Sequence, residues 1–217
     1  MRWGMVIDRK RCIGCYACMV SCKQSHALPP ELFWNRVLIS ETGTYPMVTK
    51  QILPVICNHC KEAACVVVCP TGATEKREAD GIVWVDPDKC VGCRYCLIAC
   101  PYQMRTYHAD NRKEYWPDKG LSELERFGRE EFYPLQPKTV IKCNFCMERL
   151  EEGQRKGLQV GIDREATPIC VNACPVKARI FGDLDDPGSN VSKLIKERRG
   201  YPLHPEYGTE PSVHYLD

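Results

Sequence analysis

The sequence predicts an α+β fold of two related, pseudo-symmetric units with long loop insertions and an extended C-terminal arm. Three observations predict it. Sixteen cysteines fall into four compact groups, with none left over. The residues leading into the first group recur ahead of the third. Short alternating apolar runs, which read as strands, flank the cysteine loops, and short helical stretches follow them.

The elements follow in chain order. Residues 4–8, Gly4-Met5-Val6-Ile7-Asp8, read as a strand that delivers the chain to Cys12, Cys15, Cys18 and Cys22. Residues 19–25 then read as a short helix. The second group is Cys57, Cys60, Cys65 and Cys69, with four residues in its middle gap. Residues 82–86 form the next strand, ahead of Cys90, Cys93, Cys96 and Cys100, and residues 97–99 the next short helix. Residues 109–139 contain no cysteine and are polar and aromatic, including Tyr115-Trp116-Pro117-Asp118 and Phe132-Tyr133-Pro134. A segment of that length is usually functional or disordered. It is read as a partner-docking surface rather than a solvated excursion, with a short helix over 122–129. The fourth group is Cys143, Cys146, Cys170 and Cys174, its middle gap stretched to 23 residues. Within that gap, residues 148–167 suggest an exposed hairpin or helix–loop. Residues 179–181 give a further strand. The tail, 201–217, is expected to be an extended arm that lies along a partner or is disordered.

The first and third groups share the spacing C-x2-C-x2-C-x3-C, and Pro70, Pro101 and Pro175 follow the last cysteine of the second, third and fourth groups. That is the bacterial ferredoxin run. Three thiolates two residues apart on a tight loop can meet three corners of one 4Fe–4S cube. The fourth, further along and facing away, ligates the other cluster of a pair. The first group departs from the pattern by ending Cys22-Lys23. Structural zinc is a poor fit, because a third cysteine at this spacing has no role in a tetrahedral site. Disulfides suit the even count, but cysteines this close favour metal. Sixteen cysteines therefore point to four [4Fe-4S] clusters. Spacing alone leaves open whether adjacent groups pair or the second and third nest inside the first and fourth.

The duplication is explicit. Val6-Ile7-Asp8-Arg9-Lys10-Arg11-Cys12-Ile13-Gly14-Cys15 matches Trp84-Val85-Asp86-Pro87-Asp88-Lys89-Cys90-Val91-Gly92-Cys93. Asn58 matches Asn144, and Cys69-Pro70-Thr71-Gly72-Ala73 matches Cys174-Pro175-Val176-Lys177-Ala178. Each half contributes one regular and one gapped group, an order that suits a ferredoxin-like unit.

Composition agrees. Of 217 residues 44% are hydrophobic, but sixteen of these are cysteines and only five are Phe, against sixteen Pro and fifteen Gly. A conventional core from this stock is thin, so the clusters should replace part of it and the apo-chain should fold poorly. The formal charge of +2 becomes roughly −6 if each loaded cluster with its thiolates carries roughly −2. Lys23, Lys61, Arg94, Arg105 and Lys142, beside the ligands, are candidate counter-charges. No basic run or basic-aromatic module suggests nucleic acid. No apolar signal region precedes the first strand, and no stretch approaches the roughly 20 apolar residues of a membrane helix. The chain is expected to be soluble and not exported by a signal of its own. His59, between two cysteines, is read chiefly as a packing residue, with a hydrogen bond to cluster sulfur as the alternative. His26, His108, His204 and His214 form no catalytic constellation with carboxylates.

Over nearly its whole length the sequence resembles the four-cluster iron–sulfur subunit of the dimethyl sulfoxide reductase family of molybdopterin oxidoreductases, whose relatives include polysulfide, thiosulfate, tetrathionate and respiratory arsenate reductases. The resemblance rests on the four groups in order, on Gly4-Met5-Val6-Ile7-Asp8 and on Cys57-Asn58-His59-Cys60. It rests also on Cys69-Pro70-Thr71-Gly72-Ala73 and on Phe181-Gly182-Asp183-Leu184-Asp185-Asp186-Pro187. It implies nested pairing: Cys12, Cys15, Cys18 and Cys174 for cluster 1; Cys22, Cys143, Cys146 and Cys170 for cluster 2. Cys57, Cys60, Cys65 and Cys100 would hold cluster 3, and Cys69, Cys90, Cys93 and Cys96 cluster 4. Cluster 1 would face the molybdenum subunit and cluster 4 would be distal.

The corresponding units are residues 1–56 with 140–182, and residues 57–108. An insertion (109–139) and a C-terminal extension (183–217) complete the chain. The implied function is that of a non-catalytic electron-transfer subunit, linking a molybdopterin (Mo or W) catalytic subunit to a membrane quinone-linked subunit or another electron carrier. The alternative is a free-standing polyferredoxin, or the electron-transfer subunit of a hydrogenase or formate-linked complex. A radical enzyme is a poor fit, since the 217 residues leave no room for a separate catalytic domain. Clusters are inserted in the cytoplasm, and export to the periplasm with the catalytic partner is favoured over a cytoplasmic complex.

Overall fold

The computed structural model describes residues 1–110, 114–116 and 118–217. Asn111, Arg112, Lys113 and Pro117, all from the segment expected to dock a partner, lie outside the described residues. In chain order the elements are β1 (Trp3–Asp8), α1 (Ala17–Ser25), β2 (Asn35–Thr44), β3 (Met47–Ile56), α2 (Ala64–Val67), β4 (Thr74–Lys76), β5 (Val83–Val85) and α3 (Tyr95–Ala99). They continue with β6 (Thr106–His108), α4 (Glu123–Arg126), β7 (Thr139–Ile141), α5 (Met147–Arg155), α6 (Ile169–Asn172), β8 (Arg179–Asp183), α7 (Asn190–Glu197) and β9 (Val213–Leu216). Helices and strands are mixed along the chain, so the class is α+β.

β1 is the centre of a three-stranded sheet, antiparallel to β8 and parallel to β9. All six of its residues are buried. Gly4 permits that packing: a Cβ there would sit 2.4 Å from Leu184 Cδ1 and 2.6 Å from the Ser212 carbonyl oxygen. Trp3, Met5, Ile7, Phe145, Phe181 and Tyr215 share one core with several cysteines.

β9 corrects the expectation of an extended C-terminal arm. The last residues return to the body, with Val213, Tyr215 and Leu216 fully buried. The Tyr215 hydroxyl donates to the Pro54 carbonyl at 2.9 Å. The reason is an open edge: β1 carries unpaired backbone groups on the side away from β8, and a strand must cover them. A second difference is the β2–β3 hairpin, paired without a break from Asn35 opposite Ile56 to Thr44 opposite Met47 and absent from the sequence-based expectations.

The repeated sequence has repeated local structure. The Asp8 N–H donates to the Ala178 carbonyl at 2.7 Å, and its counterpart Asp86 donates to Ala73 at 2.7 Å. Asp8 accepts from the Arg11 N–H and pairs with its side chain, as Asp86 accepts from the Asp88 N–H and pairs with Lys89. α1 packs on α6, and α2 on α3.

The cysteine-free insertion is held against the body. Ser122 and Glu125 form a reciprocal cap on α4, and a π-helical turn, Phe127–Phe132, continues it. Tyr115 donates to the Leu28 carbonyl at 2.8 Å. Tyr133 packs edge-on against His26. In the stretched fourth group, α5 followed by a loop occupies the region expected to be a hairpin or helix–loop, and Gly153 lets it approach Ala166 closely.

Candidate metal centres

Each cysteine loop is shaped by left-handed backbone at fixed offsets. In the regular groups Gly14 (φ 70°) and Gly92 (φ 67°) precede the second cysteine, and Tyr16 and Arg94 (φ 59° and 66°) follow it and start α1 and α3. In the gapped groups His59 and Phe145 take φ 43° and 57°. Three residues after the last cysteine of the second, third and fourth groups, Gly72, Gln103 and Lys177 do the same. These turns reverse the chain within a few residues and aim consecutive thiols inward. Backbone N–H groups then point at sulfur: Thr74 to Cys69 (3.3 Å), Phe145 to Cys143 (3.4 Å), Val140 to Cys90 (3.5 Å) and Ala178 to Cys174 (3.2 Å).

Cys12, Cys15, Cys18 and Cys174 line one small, mostly enclosed cavity with Ile7, Val37 and Arg179. Cys57, Cys60, Cys65 and Cys100 line another with His59 and Arg105. Cys22 lies within electrostatic reach of Cys143, Cys170 and Cys146, and Cys96 within reach of Cys90 and Cys69. Cys93, next to Gly92, is exposed. The sets also neighbour one another, for Cys170 feels Cys18 and Cys143 feels Cys57.

The chemistry of these thiols fits a cluster. Burial, reinforced by neighbouring thiols, pushes Cys60 and Cys143 up to about 12 and raises Cys22 and Cys146 well above the ordinary thiol range. Four thiolates cannot share such a space unless a metal centre supplies positive charge, and a coordinating metal deprotonates them outright. Among the described residues no three His, Cys, Asp or Glu side chains converge on a single-ion site. Two sets of four thiols surround small volumes, Cys12, Cys15, Cys18 and Cys174 around one and Cys57, Cys60, Cys65 and Cys100 around the other. Cys69 differs. Burial pushes it up, but the Thr74 N–H and the Thr71 hydroxyl outweigh this and leave it below its ordinary value.

Three cations are buried among the thiols. Arg105 donates to Cys65 Sγ at 2.9 Å and to Thr74 Oγ1 at 3.1 Å. Arg179 is held by Asn35 Oδ1 at 2.9 Å and reaches Cys170, Cys18 and Cys174. Lys142 donates to the carbonyls of Val83 and Cys143. Of the five candidate counter-charges, only Arg105 and Lys142 sit among thiols in this way. Lys23 instead donates to the carbonyls of Pro29, Pro30 and Leu32, Lys61 pairs with Glu210 at the surface, and Arg94 stacks on Tyr107. Arg179 is not among those five, although the sequence carries a signal for it: Cys-Pro-x-x-x-Arg occurs at Cys100–Arg105 and again at Cys174–Arg179.

His59 is fully buried, accepts the Val83 N–H on Nδ1 at 3.1 Å and stacks on Phe145. Burial, then Lys142 and Arg105, hold it well below the ordinary histidine range, so it is neutral.

The 4Fe-4S dicluster domain family matches residues 48–116, and the 4Fe-4S binding domain family matches residues 3–24. A sulfite dehydrogenase subunit of Allochromatium vinosum is 40% identical over 228 residues, 98% of this chain and 82% of that protein. The iron–sulfur subunit of the arsenate respiratory reductase of a Shewanella species is 38% identical, covering 100% of this chain and 96% of its own length. A selenate reductase subunit of Mesobacillus selenatarsenatis is 40% identical, covering 100% and 72%.

Proposed function

The chain belongs to the iron–sulfur subunits of the dimethyl sulfoxide reductase family of molybdoenzymes, and from that premise we propose that it is a four-cluster wire between a molybdopterin (Mo or W) catalytic subunit and a second electron carrier. It is an electron-transfer subunit, not a catalyst in itself. Cluster 1 is assigned to Cys12, Cys15, Cys18 and Cys174, and cluster 2 to Cys22, Cys143, Cys146 and Cys170. Cluster 3 is assigned to Cys57, Cys60, Cys65 and Cys100, and cluster 4 to Cys69, Cys90, Cys93 and Cys96. When bound, each supplies a one-electron site whose potential follows burial, hydrogen bonds and nearby charge.

The observation that carries this reading is exposure. Of the sixteen thiols only Cys15 and Cys93 are exposed, one in the first assigned set and one in the last. The neighbour relations run from set 1 to 2 through Cys18 and Cys170, and from 2 to 3 through Cys143 and Cys57. Arg105 joins 3 to 4 between Cys65 and Cys96. A relay buried in its middle and open at its ends suits a subunit that receives electrons from one partner and passes them to another. Apolar side chains stand exposed within both of these cysteine groups, Ile13 and Val20 in the first and Val91 and Ile98 in the third. Partners that exclude water would cover them.

The same assignment makes residues 1–56 with 140–182 one ferredoxin-like unit and residues 57–108 the other, the two pseudo-symmetric. The matched bonds of Asp8 and Asp86 support it. Residues 109–139 are the insertion and 183–217 the extension that closes the first unit's sheet. Among the described residues no helix is long and apolar enough to cross a membrane; in this reading a quinone-linked carrier is a separate membrane subunit. Export with the catalytic partner would place the complex in the periplasm.

Anaerobic purification from native cells tests the partnership. A co-purifying large subunit that contains molybdenum or tungsten is expected. The chain isolated alone with its clusters intact would point instead to a polyferredoxin.

A further inference from the structure

We propose that Arg179, Lys142 and Arg105 are shared counter-charges, one at each of the three junctions of the relay, and that each raises the reduction potentials of the clusters on both of its sides. The inference rests on the ligand sets proposed above. Arg179 stands between Cys18 and Cys174 of the first set and Cys170 of the second. Lys142 acts on Cys143 of the second set and on Cys65 of the third. Arg105 lies between Cys57 and Cys65 of the third and Cys96 of the fourth.

All three side chains are buried, with their residues 3%, 4% and 5% exposed. Each is fixed by neutral acceptors: Asn35 for Arg179, the Val83 and Cys143 carbonyls for Lys142, and Thr74 for Arg105. None has a carboxylate partner among the described residues. A buried cation without an anion is costly to hold, and the anions beside these three are cysteine sulfurs. The arrangement makes sense when those sulfurs carry the negative charge of loaded clusters.

The consequence is electrostatic. Reduction adds one negative charge to a cluster, and a fixed cation in a low-dielectric junction favours the reduced form at longer range than it would in water. A cation shared by two clusters moves both potentials in the same direction, which keeps neighbouring steps close in energy. The transfer is one electron leaving one cluster and arriving at the next, with no bond made or broken and no proton moved. Arg94 provides the contrast, since it also adjoins a ligand but lies exposed over Tyr107, where water screens its charge.

The test is a potentiometric titration, followed by electron paramagnetic resonance, of the anaerobically purified complex. Arg105→Gln is expected to make the clusters of the third and fourth sets at least tenfold harder to reduce, about −59 mV for a one-electron couple, with the other two unmoved. Arg179→Gln is expected to do the same to the first and second sets. Arg105→Lys and Arg179→Lys, which keep the charge, should restore most of each shift, and Arg94→Gln should move nothing by this amount. Should a glutamine variant lose iron, the test passes to the other junction and to the fully loaded lysine variants. Loaded glutamine variants with unmoved potentials would overturn the proposal, as would shifts confined to one cluster or lysine variants displaced as far as glutamine. A wild-type complex with other than four signals would instead refute the ligand sets, so the two failures are distinguishable.

Discussion

The imidazole of His59 lies on the ring of Phe145, centroids 3.8 Å apart and planes 24° apart. The two residues are counterparts in the repeat, each between an asparagine and the second cysteine of a gapped group, and both have left-handed backbone. The stack therefore joins the Cys57–Cys60 loop to the Cys143–Cys146 loop. His59→Phe keeps the stack but leaves the buried Val83 N–H without its acceptor, a loss of about 1–3 kcal/mol. Phe145→Ala removes the ring itself, a loss of about 3–5 kcal/mol. Anaerobic denaturant unfolding of the loaded protein should show the larger loss for Phe145→Ala; equal losses would mean that the stack contributes little.

Cys22 is the cysteine whose partner set distinguishes nested from adjacent pairing. It lies among Cys143, Cys170 and Cys146 rather than with its own loop. Cys22→Ser should therefore perturb the paramagnetic signal of that cluster and largely spare the one built on Cys12. Loss of the Cys12 signal instead would refute the nested assignment.

Gly14 and Gly92 occupy equivalent places with nearly equal φ, yet their surroundings differ. A Cβ on Gly92 would lie 2.2 Å from the Lys138 carbonyl oxygen, whereas one on Gly14 would meet the end of the Ile52 side chain at 3.2 Å. Gly14→Ala should cost about 1 kcal/mol, the ordinary left-handed penalty. Gly92→Ala should displace the loop and lower iron content. Equal iron in the two variants would contradict this.

Asp8 gives a pH dependence. Burial pushes its carboxyl up, but hydrogen bonds from Arg198 and the Arg11 N–H, with the charges of both arginines, outweigh it and leave the folded value below the usual one. A depressed carboxyl contributes stability that is present above its unfolded pKa, near 3.9, and is lost as pH falls through the folded value. Asp8→Asn should cost about 1.5–3 kcal/mol at neutral pH, and its deficit against wild type should shrink on acidification. Thermal unfolding from pH 7 downward measures both; a deficit independent of pH would show that the charge is unimportant.

The parts legible in the sequence are those with a local cause. Ligand spacing and strand alternation locate β1, β5, β8, α1 and α3 to within about two residues, because the cysteine loops fix where each can start. The β2–β3 hairpin escapes such reading because Val37-Leu38-Ile39 and Ile52-Leu53 run consecutively instead of alternating, and much of the hairpin has no core to face. β9 is hidden for a different reason: its pairing depends on the open edge of β1, at the opposite end of the chain. Arg179 is recognisable as a buried cation only once the thiols around it are known, although the Cys-Pro-x-x-x-Arg repeat is visible.

Metal content tests the central claim most directly. The loaded chain, purified anaerobically, should contain about 16 iron and about 16 labile sulfides, as expected for four 4Fe–4S units. About 12 iron would mean that one set does not hold a cubane, and zinc in place of iron would contradict the account altogether.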